Sequence, residues 1–471
     1  METKKLFSSI WLYFIVSFLV GCTTSTPASS SPTRVASHVT IDVSSKNQII
    51  EADQIDFLNT QENTLYVHLT TNKNKQDIST DTFLHQVGAI DGGVFTEINS
   101  HSNKINTWSA PLWSNNTSTW WKTIQSLKDQ KETIWIETEG QRQDRFSLLP
   151  GFFTADLQRK CLCFLETEDE FTIIDAENPD NLLHHKIQNP FSSISFHPNK
   201  PNSYTFSQFY KFSSGYLLIV SNYSNQPYRY LFFPLADNNI MNPKEIIIPS
   251  EFNAQWFLAD AHYEANVFVL LDYTSLIAYE NSLQYPDAPP LEEAEANTAK
   301  LMVVDLFNPT SPLYVESDVF LASAVRILYH PDGAQICIVP KHLKDHAVRT
   351  PIWNRKTNSI KIQNPVYIPI EGVVFSDPGL RFLRSNPLEW QLFVSGKDST
   401  QKGWIVSCKA TEKSLQCTEY VLEYDEDFMI PSIASVGDRF YFTVISKQAY
   451  FSPMNRENTT SVRLDTIVKE P

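Results

Sequence analysis

The sequence predicts an all-β chain built from a repeated strand-pair unit, and three observations lead there. The stretch ILYHPDGAQICIV (residues 327–339) reads as an apolar strand, a tight Pro-Asp-Gly turn and a second apolar strand, and weaker copies of it recur along the chain. The turns of these copies centre near residues 61, 157, 214, 263, 332, 378 and 437, with room for one hidden copy between the first two. A period of roughly 40–60 residues is that of propeller blades or an array. At 471 residues the chain also exceeds the ~250–300 residues at which one compact core stops growing. The expected fold is a β-propeller of seven or eight blades. The alternative is two β-sandwich domains with a break near residues 240–255.

Taken in order, the copies are IDFLNTQENTLYVHL (55–69), GFFTADLQRKCLCFLE (151–166), ISFHPNK (194–200), YKFSSGYLLIVSN (210–222), WFLADAHYEANVFVLLD (256–272), ILYHPDGAQICIV, GVVFSDPGLRFLRS (372–385) and IASVGDRFYFTVIS (433–446). Residues 92–131 fit least. In WWKTIQSLKDQK, Trp120, Ile124 and Leu127 stand at helical spacing, which predicts a short helix interrupting a blade. A second self-match pairs FTIIDAENPDNLL (171–183) with LMVVDLFNPTSPL (301–313), in which Asp175 and Asp305 stand 130 residues apart. PIWNRKTNSI (351–360) carries a hairpin signal. With only 13 Gly, left-handed turn positions are expected to fall to Asn and Asp.

The N-terminus METKKLFSSIWLYFIVSFLVGC has a short basic start and an apolar run of signal-peptide length. Its end, Leu19-Val20-Gly21-Cys22, resembles the lipobox of bacterial lipoproteins. That resemblance implies cleavage before Cys22 and acylation of its thiol and amine, with residues 1–21 a signal peptide, 22–40 a Ser/Thr/Pro-rich tether and 41–471 the propeller. The other reading is an uncleaved N-terminal anchor. Thr23, where an Asp would retain a lipoprotein in the inner membrane of a diderm cell, implies passage to the outer membrane. The expected location is extracytoplasmic, anchored to the cell membrane or outer membrane of a bacterium. A net charge of −15 argues against nucleic acid as a partner, which would need clustered Lys and Arg.

Six Cys are present. With Cys22 taken by lipid, an odd number is left, and at least one thiol stays unpaired. Cys161 and Cys163 would point the same way on a strand and cannot readily pair with each other. Cys408 and Cys417 flank Glu412-Lys413 symmetrically in a hairpin-like stretch. They form either a cross-strand disulfide, which an exported protein permits, or two buried thiols.

The strand-Pro-Asp-Gly-strand element resembles TolB-type repeats. The Val-Val-Asp…Asn-Pro element resembles bacterial surface-protein propeller repeats, and Trp353-Asn354…Thr357-Asn358 resembles the turn of WD-type repeats. The resemblance to the β-propeller superfamily spans roughly residues 50 to 470. It implies a fold and no activity, since propellers host many unrelated functions.

In that fold, ligands and partners sit on the face carrying the second-to-third-strand loops. The longest such insertion, residues 279–300, carries Tyr279, Glu280, Asp287, Glu292, Glu293 and Glu295, and the corresponding loop of the next blade carries Lys341, Lys344 and Arg349. The two loops either neutralise each other or edge a partner site. His342, Asp345 and His346 are the most metal-like group, but they lack the Glu of a zinc-protease motif, and no metal is assigned. No nucleophile elbow, phosphate loop or calcium loop is present, so no catalytic residue and no cofactor is assigned. The Trp-rich stretch at 108, 113, 120, 121 and 135 reads as blade packing, with sugar stacking as the other option. The expected role is a non-catalytic binding or scaffold protein of the cell envelope, with an envelope protein or glycan as partner. The alternative is an envelope enzyme that degrades glycan or peptide with carboxylates on the propeller's top face.

Overall fold

The computed structural model describes residues 37–43, 47–72, 82–104, 107–125, 131–178, 182–191, 193–197, 203–222, 228–248, 256–272, 299–317, 322–340, 347–363, 366–367, 380–384, 389–395, 402–410, 415–423, 428–430, 432–446 and 461–469. Two N-terminal strands come first, β1 (Ser37–Asp42) and β2 (Gln48–Ala52). Sheet I is β3 (Gln54–Gln61), β4 (Thr64–Asn72), β5 (Thr82–Asp91) and β6 (Val94–Lys104). Sheet II is β7 (Thr107–Ser114), β8 (Ser118–Gln125), β9 (Lys131–Thr138) and β10 (Gln141–Leu148). Sheet III is β11 (Phe153–Asp156), β12 (Cys161–Thr167), β13 (Glu170–Asp175) and β14 (Leu183–Gln188). Sheet IV is β15 (Tyr204–Phe212), β16 (Gly215–Asn222) and β17 (Arg229–Ala236), with β18 (Asn239–Ile240) and β19 (Lys244–Ile246) both on β17.

Sheet V is β20 (Trp256–His262), β21 (Val267–Asp272), β22 (Ala299–Asp305) and β23 (Leu313–Ser317). Sheet VI is β24 (Ala322–His330), β25 (Gly333–Pro340), β27 (Ile352–Asn354) and β28 (Ser359–Lys361), while β26 (Ala347–Val348) pairs with β29 (Val366–Tyr367). Sheet VII is β30 (Leu380–Arg384), β31 (Glu389–Ser395), β32 (Lys402–Ala410) and β33 (Leu415–Glu423). Sheet VIII places β34 (Phe428–Met429) and β35 (Ile433–Val436) on β36 (Arg439–Ser446), followed by β37 (Val462–Val468). The fold is an all-β propeller.

The repeated hairpin of the sequence is the innermost strand pair of each sheet. His330 pairs with Gly333 across Pro331-Asp332, Phe212 with Gly215, and Val436 with Arg439. Gly333 and Gly215 open the second strand, and their role differs from a simple turn residue. A Cβ on Gly333 would run into the Trp353 carbonyl of the third strand, and one on Gly215 into that of Phe233. The missing side chain lets two backbones approach closely.

The middle strands are buried on both faces, so they read as unbroken apolar runs. In β12, Cys161, Cys163 and Leu165 pack toward sheet IV, while Leu162 and Phe164 pack toward sheet II. In β16, Tyr216, Leu218 and Val220 face sheet III, while Leu217 and Ile219 face sheet V. The period of two thus distributes one strand's side chains between two cores. Consecutive sheets share such cores from I through VI and from VII to VIII, and sheet I closes on sheet VIII through Ile55, Val67 and Ile90 against Tyr441 and Leu464. The N-terminal strands complete the last two sheets. β1 adds to β33 in parallel and β2 adds to β37 antiparallel. β1 begins at Ser37, so the propeller starts four residues inside the stretch assigned to the tether.

Alternate connections fall on opposite faces. The first-to-second and third-to-fourth strand connections form one, the turn face. The second-to-third and sheet-to-sheet connections form the other, the loop face.

Three expectations are corrected. Trp120 and Ile124 lie on strand β8 and not on a helix, because their i, i+4 spacing fits a two-residue period as well as a helical one, and Leu127 lies outside the described residues. The hidden repeat is the β7–β8 hairpin. In ISFHPNK, Ile194 to His197 form no strand and run as irregular chain between sheets III and IV, with Ile194 and Phe196 buried, and residues 198–200 lie outside the described residues. In GVVFSDPGLRFLRS, residues 380–384 form the inner strand β30, so the Asp-Pro-Gly precedes that strand.

Candidate functional site

Ionisable side chains gather at the junctions between sheets. The densest group lies on the turn face between sheets III and IV. Asp175 ends β13 and is buried. It accepts a hydrogen bond from the Tyr216 hydroxyl (2.9 Å) and forms an ion pair with Lys211 Nζ on β15 (2.7 Å). Lys211 also pairs with Glu177 (2.6 Å), which is paired in turn with Arg159 (3.0 Å), and the Arg159 guanidinium lies 4.1 Å from the Tyr263 ring centroid. Burial works against the Lys211 ammonium, but its bonds to Asp175 and Glu177 outweigh it and hold the pKa above its ordinary value. Burial, reinforced by the Asp175 charge, drives the Tyr216 hydroxyl up. Cys161 and Cys163, fully buried alongside, have thiols pushed far up by burial. A thiol in that environment is inert, not a nucleophile.

The 130-residue self-match has its physical meaning here. Asp305 ends β22 as Asp175 ends β13, and it binds Arg355 across the next junction (2.8 Å). Each Asp also accepts a backbone hydrogen bond from the residue two positions on, Glu177 or Phe307, both at 3.2 Å. The match therefore spans two sheets.

A second device repeats with it. Asp156 of sheet III accepts the Lys211 backbone N–H of sheet IV (3.0 Å), and Asp260 of sheet V accepts the Ile327 N–H of sheet VI (2.7 Å). In sheet I, Asn59 takes this place and exchanges two bonds with the Ser114 backbone of sheet II, at 3.0 and 3.1 Å. Burial raises the pKa of Asp156 despite the N–H groups it accepts. These inner-strand clips join sheets I–II, III–IV and V–VI.

Between sheets I and II stands a row of imidazoles. His68 on β4 lies 3.2 Å from Asp56 and 2.9 Å from His85 on β5, and His101 on β6 is directly opposite His85 in register. Trp121 and Trp135 stack against this row with ring centroids 5.3 Å apart. Burial, aided by the charge of Arg142, lowers the pKa of His101. Burial pushes the Asp56 carboxyl up, but the bonds from His68 and Gln54 and the nearby imidazoles prevail and hold it below its ordinary value.

In each of these groups the acidic side chain is engaged by a base or a backbone N–H of a neighbouring strand. Asp175, Asp305, Asp156 and Asp260 join one sheet to the next, while Asp56 pairs with His68 within sheet I. Among the described residues no group of three His, Cys, Asp or Glu side chains is placed to hold a metal ion.

The residues singled out from the sequence fare unevenly. Cys22, Tyr279, Glu280, Asp287, Glu292, Glu293, Glu295, Lys341, Lys344 and the His342–Asp345–His346 group lie outside the described residues. The strands that bracket the acidic and basic loops are as expected. Residues 273–298 join β21 to β22, and residues 341–346 follow β25. The strand ends they follow, Asp272 and Pro340, are on the loop-face side, and sheets V and VI are neighbours through a shared core. Arg349 is half-buried and exchanges backbone bonds with Ile338. Cys408 stands directly opposite Cys417 in the β32–β33 hairpin. Trp113, Trp120, Trp121 and Trp135 are buried between sheets, so these four serve packing. His184 and His185 point to opposite sides, toward Phe146 and Tyr216.

The Asn59, Asp156 and Asp260 clips were not legible beforehand, although the 55-residue step from Asn59 to Ser114 and from Asp156 to Lys211 was available as a signal.

The chain matches no protein-family model and no curated protein. Solved structures with a similar chain path include a prolyl endopeptidase, at 11% identity over 86% of this chain and 54% of that one, with a TM-score of 0.38. They also include the β-propeller domain of the Trilobed protease from Pyrococcus furiosus (8% identity, 77% of this chain, 96% of that one, TM-score 0.34) and a functionally unknown protein from Desulfotomaculum acetoxidans DSM 771 (9%, 72%, 96%, 0.33). The chain spans about half the length of the prolyl endopeptidase. At these identities nothing of activity follows.

Proposed function

We propose that the chain is a lipid-anchored, extracytoplasmic propeller of the bacterial cell envelope that binds a protein or glycan partner on its loop face. The observation that supports this reading is the unequal build of the two faces. Among the described strands, the turn-face connections are short and clipped together, as at residues 62–63, 213–214 and 331–332. The longest stretch of sequence between paired strands, residues 273–298, separates Asp272 from Ala299, two strand ends on the loop-face side. A rigid ring with its sequence variety on one face suits recognition.

The second reading is an envelope enzyme that degrades peptide or glycan. Peptidases stand among the similar structures, including a puromycin-hydrolyzing peptidase of Mycobacterium tuberculosis and an acylaminoacyl peptidase of Pyrococcus horikoshii, and the chain spans 57% of each. That likeness of fold does not choose between the readings.

Affinity capture from solubilised envelopes tests them, with the intact protein and with residues 280–299 replaced by a short Gly/Ser link. A partner held by the first and lost by the second is the expected result. No partner with either, together with turnover of peptides or glycans, would establish the enzyme. Cys22→Ala is expected to release the protein from membranes. Unfolded, unreduced protein is expected to titrate at Cys161, Cys163 and Cys337 alone, with Cys408 and Cys417 joined.

A further inference from the structure

The seam between sheets I and II changes character along its length. β4, β6 and β8 all start at the turn face and run toward the loop face. Each places a neutral hydrogen-bonding side chain two residues before a ring: Tyr66 before His68, Asn99 before His101 and Thr119 before Trp121. The Tyr66 hydroxyl donates to Asn116 Oδ1 (2.7 Å), the Asn99 amide donates to Thr119 Oγ1 (2.7 Å), and Asn59 exchanges its two bonds with Ser114. These cross-seam bonds converge on the β7–β8 turn. None of them involves a group that ordinarily titrates between pH 5 and 8.

Beyond them, toward the loop face, imidazoles and indoles fill the seam. The His68 and His85 ring planes lie 13° apart, with Nε2 of the first 2.9 Å from Nδ1 of the second. Asp56, 3.2 Å from His68 Nδ1, assigns the proton of the neutral ring to that nitrogen, so His85 Nδ1–H donates to His68 Nε2. A first added proton keeps the bond, because one ring of the pair still offers a lone pair. Asp56 and the Trp121 ring, at 6.3 Å from both imidazole centroids, favour that cation. A second proton sets N–H against N–H and puts two cations in contact. His101, set against Trp121 and Trp135, is kept neutral by burial first and by the charge of Arg142 second.

We infer that this seam is a proton-operated latch: protonation of the imidazole row parts sheets I and II on their loop-face side, about a hinge of neutral hydrogen bonds at the β7–β8 turn. The form that binds more protons gains as pH falls, so the open form gains below the ordinary imidazole value of about 6.5. Among the described residues, the other charged groups facing the row from sheet II are Glu137, opposite Arg142 in register, and Asp144, paired with Arg142 (2.6 Å). Asp56 is held low by its partners and keeps its charge through this range. Burial raises Glu137, so its own protonation favours the closed seam and opposes the latch.

Hydroxyl-radical footprinting of the full chain, read residue by residue by mass spectrometry at pH 7.5 and 5.5, tests this. Trp121 packs toward sheet I and its neighbour Trp120 toward sheet III, so one peptide carries both probe and control. Oxidation of Trp121 and Trp135 is expected to rise at least about fivefold, within the roughly hundredfold that one proton supplies over two pH units, with Trp113 and Trp120 unchanged. No rise at 121 and 135, or an equal rise at all four, overturns the latch. A rise at Tyr66 that matches Trp121 overturns the hinge. His68→Gln with His85→Gln is expected to abolish most of the rise, and a full rise in that variant overturns the assignment to the pair. A variant whose Trp113 is already oxidised at pH 7.5 has not folded, and His85→Gln alone then carries the same comparison.

Discussion

Between sheets I and II, two stacked tryptophans lie against three histidines. Between sheets III and IV, Phe171 is ringed by Phe191, Phe196, Phe206 and Phe233 at 5.2–6.5 Å, and a buried Lys211–Asp175 pair stands where, among the described residues, the first junction has no such ion pair between its sheets. The inner strands of both junctions are nevertheless joined alike, by Asn59 to Ser114 and by Asp156 to Lys211, each pair 55 residues apart. The clip sets where two sheets meet, and the filling between them is free to vary. One filling is a row of imidazoles, of which His101 is held below its ordinary pKa by burial. The other is centred on an ion pair whose cation keeps its charge.

The largest expected effect is at the ion pair. Lys211→Met leaves the Asp175 carboxylate buried without its cation, at a cost of about 3–5 kcal/mol, read as a drop in the urea midpoint. Adding Asp175→Leu is expected to recover much of that loss, and no recovery would show that Lys211 acts through other contacts. Gly215→Ala, which drives a methyl into the Phe233 carbonyl, is expected to cost about 1–3 kcal/mol in the same assay.

The pH dependence sharpens the contrast. His101 has a folded pKa below its ordinary 6.5. The unfolded chain therefore takes up a proton near that value while the folded protein does not, and stability present above it is lost as pH falls toward the folded pKa. The midpoint of His101→Gln is expected to fall less than that of the native protein between about pH 7.5 and 5.5. Equal slopes would remove His101 from the comparison. His185, on β14, is lowered by burial in the same direction and contributes a share of its own from the III–IV junction.

The smallest effects are at the turns. Glu62 and Lys160 hold left-handed backbone, with φ of 52° and 53°, one in each region. Glu62→Gly and Lys160→Gly are each expected to stabilise by about 1 kcal/mol.

These turns also show what the sequence could tell. The expectation that Asn and Asp would replace Gly holds at Asp237, Asn238, Asn266 and Asn358, but Glu62, Glu139 and Lys160 take the same conformation with no favourable propensity. Tertiary pairing of the flanking strands imposed it. The inner hairpins were legible because an apolar run, a turn and another apolar run leave a local pattern. The Asp175–Asp305 match was legible because its Asp-Asn-Pro spacing is local as well. The Lys211 and Arg355 partners were not, since each comes from the neighbouring sheet and nothing local marks it. Trp120 and Ile124 misled because four residues is a spacing that helix and strand share.

The strands that complete sheets VII and VIII are made first and find their partners last. Ser37 and Ala52 are made hundreds of residues before Thr418 and Val462, which they face. Until then β1 and β2 are two bare edges with no template, and the ring cannot shut. Closure is thus a late step that waits on nearly the whole chain, and such long-range pairing is slow. If the chain is exported as proposed above, closure falls after translocation, and the interval before it is the time of greatest exposure to aggregation and proteolysis.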